Sequence, residues 1–168
     1  MPNAVNVPHA MGDVLANLQS IEFCLRRFLY HLDGLQKPSP DAAHPPFDLS
    51  NWREGDWVPE TPLTNYDTLG DLIAKVNSAL QARGFPERID TSLTQLRDAL
   101  AHGRVLSLPP DGPFRLVKFS KPKVNKVRVA VSITLNHEWL RTGLRRTKGE
   151  IDKIMRLSQK LGQAAFGP

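Results

Sequence analysis

Apolar residues in the first part of the chain recur at steps of three and four: Val14, Leu15, Leu18, Ile21, Leu25, Phe28, Leu29 and Leu32. That spacing lays one apolar stripe along a helix from about residue 12 to residue 32, with Gly34 as its stop. The pattern then lapses. Residues 34–66 hold six prolines, Pro38, Pro40, Pro45, Pro46, Pro59 and Pro62, which remove backbone donors and forbid a continuous helix or a central strand. This is a long connecting loop. Phe47, Trp52 and Trp57 within it are expected to fold back as apolar anchors, with base stacking by Trp52 or Trp57 as the alternative. A second helix follows over 67–83, with Leu69, Leu72, Ile73, Val76 and Leu80 on one face and Gly84, Phe85 and Pro86 at its end. A third starts near Pro86 or Glu87 and carries Ile89, Leu93, Leu96 and Leu100 up to Gly103.

After Gly103 the period changes from that of a helix to that of a strand. Val105 and Leu106 precede a turn at Pro109, Pro110, Asp111 and Gly112; Phe114, Leu116, Val117 and Phe119 follow it. Val127, Val129, Val131 and Ile133 then alternate with Arg128, Ala130 and Ser132, which predicts a small antiparallel sheet. Asn136 offers an N-cap for a final helix to about Ala165, striped by Leu140, Leu144, Ile151, Ile154, Leu157 and Leu161. The predicted fold is mainly α: an antiparallel four-helix bundle with a small antiparallel hairpin or three-stranded sheet inserted before the last helix. One domain is expected over 1–168, with the Pro-rich loop at 34–66, the β insertion at 104–134 and the C-terminal helix at 136–165.

Composition adds three limits. No apolar run reaches the length of a membrane span, and the N-terminus lacks the order of a secretion signal, so a cytoplasmic protein with no membrane partner is expected. The single cysteine, Cys24, cannot form an internal disulfide and reads as a buried thiol on the first helix. The five histidines make no metal-ligand spacing with Cys24 or the acids, and no Gly-rich phosphate loop exists, so neither metal nor cofactor is expected.

Charge is uneven along the chain. Residues 1–96 carry 7 Lys and Arg against 12 Asp and Glu, a net of −5; residues 97–168 carry 15 against 5, a net of +10. A one-sided positive field draws a polyanion, and RNA is the natural candidate. Within the basic half, Arg104, Lys118, Lys121, Lys123, Lys126 and Arg128 are the candidate RNA-binding residues. For Lys118, Lys121, Lys123, Lys126 and Arg128 the alternative, not exclusive of the first, is protection of a sheet edge from aggregation.

The basic half begins at Arg97, Asp98, Ala99, Leu100, Ala101, His102 and Gly103. An Arg five positions before a His is expected about 0.4 times by chance in a chain of this composition, so the spacing alone carries no weight. Arg26 and His31 have it too, on the first helix, but without a following acid or a helix-ending glycine. Context separates the two pairs. Asp98 and His102 stand one turn apart on a helix face, about 40° around, whereas Arg97 and His102 are about 140° apart. Asp98 can therefore orient His102, and Arg97 meets them only by reaching round or across a two-fold axis.

An Arg, a polar residue, three more residues and a His at the end of the third helix resembles the HEPN family, the higher eukaryotes and prokaryotes nucleotide-binding domain. The run Tyr66, Asp67, Thr68, Leu69, Gly70, Asp71, Leu72 and Ile73, and the acidic Glu22 on a long first helix, are similar to many members. The resemblance implies a metal-independent endoribonuclease of the toxin or antiphage-defence type. It would work as a homodimer whose composite cleft leaves a 2′,3′-cyclic phosphate. His102 would be the acid and base, Arg97 the cation on the phosphate and Asp98 the residue that holds the His. RNA and an antitoxin protein are the implied partners. Members more often carry Asn where this chain has Asp98. The competing reading is a catalytically silent HEPN-type module that binds RNA, nucleotide or protein; a DNA-binding helical module is a third, with no helix-turn-helix spacing to support it.

Overall fold

The computed structural model describes residues 6–36, 52–107 and 112–165. Four helices and three strands run in the order α1 (Val7–Gln36), α2 (Leu69–Ala82), α3 (Leu93–His102), β1 (Arg104–Ser107), β2 (Phe114–Phe119), β3 (Val129–Thr134) and α4 (His137–Ala165). Residues 37–51 and 108–111, with Phe47, four of the loop prolines and most of the Pro109 turn, lie outside the described residues. The chain divides into two compact units, one of residues 1–21 and 90–152 and one of residues 22–89 and 153–168. Helices α1 and α4 each contribute to both.

The first unit corrects the expected fold class. The chain is not a mainly α bundle carrying a hairpin but a mixed structure of helices and a three-stranded antiparallel sheet in the order β1-β2-β3. The sheet is a wall of the core. Leu116, on the central strand, has no exposed surface and packs with Ala99 of α3 and Leu135; Val7 and Met11 of α1, Leu100, Ile133 and Trp139 close around them. Burying a leucine so completely contributes roughly 2 kcal/mol. Alternation predicts strands, but it does not say what covers their apolar face. Helices α1 and α4 are joined in this unit by a part-buried polar contact, in which Asn17 Nδ2 donates to Thr147 Oγ1 at 3.0 Å and Thr147 in turn donates to the Gly143 carbonyl.

In the second unit Leu25, Phe28 and Leu32 of α1, Leu69, Leu72, Ile73, Val76 and Leu80 of α2, and Ile154, Leu157 and Leu161 of α4 are buried. Thr68 and Asp71 form a reciprocal capping box at the start of α2. The loop before it is tied down by Arg26, whose guanidinium donates to the carbonyls of Pro62, Asn65 and Asp67 and to Asn65 Oδ1 at 2.7–3.1 Å. The anchoring expected of the tryptophans is not found at Trp57, which is fully exposed; Trp52 is 43% exposed.

The third helix starts later than its apolar pattern predicts. Ile89 is buried on an extended segment, where Asn77 accepts its N–H at 2.7 Å and donates to its carbonyl at 3.0 Å. That bracket satisfies a buried backbone without a helix. Asp90 then accepts from both the N–H and the hydroxyl of Ser92, at 2.9 and 2.6 Å, a local turn that places the first helical residue at Leu93. At the other boundaries Asn136 caps α4 as expected, accepting from Trp139 N at 2.8 Å, while α1 begins at Val7, one residue beyond Asn6, whose side chain accepts from His9 N.

Candidate functional site

The motif occupies the last turn of α3 and the step into β1. Ala99 points inward, 4% exposed, and this fixes the neighbours: Arg97 and His102 face outward and Asp98 lies at the edge of the buried face. Gly103 has extended backbone, so no left-handed turn demands a glycine there. Space does. A Cβ at this position would lie 2.4 Å from the Ala99 carbonyl oxygen and 2.5 Å from Leu116 Cδ1. The helix is thus stopped directly against the central strand, and the residue after His102 must lack a side chain.

Register carries the geometry onward. Arg104 pairs with Val117, and β2 runs on through Lys118 and Phe119, so the end of the sheet next to His102 is also the end from which residues 120–128 extend. Successive strand residues face opposite ways, which puts Lys118 on the same face as Leu116. Its ammonium makes a short ion pair with Asp98 Oδ2. The other carboxylate oxygen stands 3.8 Å from His102 Nε2, near enough for attraction between charges but beyond a hydrogen bond. Asp98 is therefore held first by Lys118, and its expected role as the residue that orients His102 reduces to an electrostatic one. The His102 side chain is 62% exposed. Arg97 is exposed and has no hydrogen-bond or ion-pair partner among the described residues.

The six cations proposed for RNA binding separate into two groups. Lys118 is consumed by Asp98, and the Arg104 guanidinium lies over the Phe119 ring, 5.5 Å from its centre. The parity of Leu116 and Lys118 in the sequence could have shown that Lys118 shares the buried face, but not the partner it finds there. Lys121, Lys123, Lys126 and Arg128 are brought together around one cleft on the hairpin.

The second Arg and His pair has a different fate. Arg26 is 14% exposed and spends its guanidinium on the loop carbonyls and on Glu22, 3.3 Å away. His31 lies edge-on to Tyr30, and partial burial, with Arg27 nearby, lowers its pKa. Partial burial raises that of the Cys24 thiol, which is half-buried where the helix pattern expected a buried one. Among the described residues no group of three or more His, Cys, Asp or Glu is arranged to hold a metal, and no helix is long and apolar enough to cross a membrane.

Set against protein-family models, curated proteins and solved structures, the chain matches none of them.

Proposed function

We propose that this protein is a metal-independent endoribonuclease that works as a homodimer, in keeping with the resemblance of its motif to HEPN ribonucleases of the toxin or antiphage-defence type. The observation that carries the reading is His102 itself. It is an exposed imidazole on the last turn of α3, 3.8 Å from a carboxylate that a lysine neutralises, at the sheet end from which a cationic hairpin extends. Its Nε2 takes the proton of a ribose 2′-hydroxyl, the 2′-oxygen bonds to phosphorus, and the bond to the 5′-oxygen breaks as that oxygen takes the proton back from the imidazolium. The products are a 2′,3′-cyclic phosphate and a 5′-hydroxyl. Charge that builds on the phosphate needs a cation. Arg97, exposed and unpaired among the described residues but about 140° round the helix from His102, supplies it from a second copy of the chain.

The test is incubation of structured RNA with the protein and with a His102→Ala variant in excess EDTA. Fragments ending in cyclic phosphate from the first and none from the second are expected. A specific observation favours a second reading, a silent RNA-binding module: Lys118 occupies Asp98, and among the described residues no hydrogen bond orients His102. Binding of RNA with no cleavage by either protein selects that reading, and equal cleavage by both removes His102 from the chemistry.

A further inference from the structure

Between β2 and β3 the chain reverses through Val124 and Asn125, both at positive φ, 48° and 58°. Lys123 and Lys126 face one another across this turn, joined by backbone hydrogen bonds of 2.8 and 2.9 Å. Positive φ at both central positions is the geometry of a type I′ hairpin turn, which glycine and asparagine fill readily. A β-branched residue there is a costly outlier. Val124 is 94% exposed, so no packing compensates it.

The second cost is electrostatic. Like charges directly opposite one another weaken a strand pair. Lys121 and Arg128 add to the pair, and none of the four side chains has a hydrogen-bond or ion-pair partner among the described residues. From residue 112 to residue 137 the sequence contains no Asp or Glu at all. Backbone strain and uncompensated charge that a fold retains together are expected where a ligand supplies the compensation.

The four cations also share a shape. With Ser120 and Val127 they line one cleft of about 430 Å³. Ser120 and Arg128 are tied across the strands: the Ser120 N–H donates to the Arg128 carbonyl at 2.8 Å and the Ser120 hydroxyl oxygen accepts from Arg128 N at 3.1 Å. A concave cationic groove suits a flexible backbone that can bend into it. We infer that this hairpin is a binding site for the phosphodiester backbone of single-stranded nucleic acid, held by Lys121, Lys123, Lys126 and Arg128. The choice of RNA as its natural strand rests on the ribonuclease reading; the grip itself does not.

Binding is measured by fluorescence anisotropy with end-labelled single-stranded RNA and DNA of one sequence over a range of salt. Four phosphate contacts give a fall of log K against log salt with a slope of about 3. A Lys121→Ala, Lys123→Ala double variant is expected to bind about tenfold or more weakly at low salt, with a slope shallower by about 1.4. Lys126→Glu is the sharper probe, because it sets a carboxylate opposite Lys123. The melting temperature should hold or rise while affinity falls, whereas a merely structural hairpin moves both the same way. Equal losses on RNA and DNA support a grip on phosphate alone, and losses on RNA only support one that includes the 2′-hydroxyl. Failure of the unaltered protein to bind either strand, or an unchanged affinity and slope in both variants, overturns the inference. The single-stranded DNA arm has no 2′-hydroxyl and cannot be cleaved by this chemistry, so loss of cleavage leaves the grip standing, and loss of the grip leaves the cleavage test to be read on its own.

Discussion

Lys118 pairs with Asp98 across the face that β2 turns toward α3, and so stands between the motif's carboxylate and full engagement with His102. The Lys118 side chain is 23% exposed and that of Asp98 45%, so the pair is only partly shielded from water. A double-mutant cycle of Lys118→Met with Asp98→Asn, followed by urea unfolding, should return a coupling of about 0.5–1 kcal/mol that shrinks at high salt. No coupling at low salt would mean that the two groups do not meet in solution.

Gly103 allows α3 to end hard against Leu116. Gly103→Ala should cost about 1–3 kcal/mol by overpacking. Adding Leu116→Ala removes one of the two overlaps but not that with the Ala99 carbonyl oxygen, 2.4 Å away. The double variant should therefore be less stable than the single one, because a cavity of about 2–5 kcal/mol is added to a clash that persists. Chemical denaturation of the three proteins decides it; recovery of stability in the double variant would show that only the side chain mattered.

Arg26 separates the two Arg and His pairs experimentally. Arg26→Ala removes charge-assisted hydrogen bonds to three loop carbonyls and should cost about 2 kcal/mol. Arg26→Lys should recover little, since one ammonium cannot reproduce the fork of the guanidinium. Cleavage per folded molecule should be unchanged in both, in contrast to Arg97→Ala.

Acid should weaken the first unit through Asp90. Burial works to raise the pKa of this carboxyl, but hydrogen bonds from the Ser92 hydroxyl and N–H, and then Arg146 Nε at 2.9 Å, outweigh it and hold the group below the ordinary aspartate value. A depressed folded-state pKa contributes stability that is complete above the unfolded value of about 3.9 and is lost as pH falls through the lower folded one. Asp90→Asn should be less stable at neutral pH and show a flatter decline in melting temperature below about pH 4. An identical acid decline in both proteins would place the proton uptake elsewhere.

The hairpin turn offers a stabilising change. Val124→Asn replaces a β-branched residue at φ 48° with one that accepts that conformation, and should raise stability by about 1 kcal/mol. Affinity for single-stranded RNA should not fall, because the four cations keep their places.

Periodicity determined which segments are helix and which are strand, except over residues 86–92, since a buried stripe must repeat with the geometry of the backbone that carries it. It placed the capping of α4 at Asn136 and the motif at the end of α3, and it marked the 104–134 segment as β. The tertiary structure decided what these elements meet. The sheet became a wall of the core through Leu116, which changed the class of the fold. Arg26 went to loop carbonyls, Lys118 to Asp98 and Arg104 to Phe119, while Lys121, Lys123, Lys126 and Arg128 were left around one cleft. Every one of these residues is a basic side chain in the sequence, equal in charge to the others. What distinguishes them is the partner each finds at long range, and pairing of that kind is a property of packing rather than of local pattern.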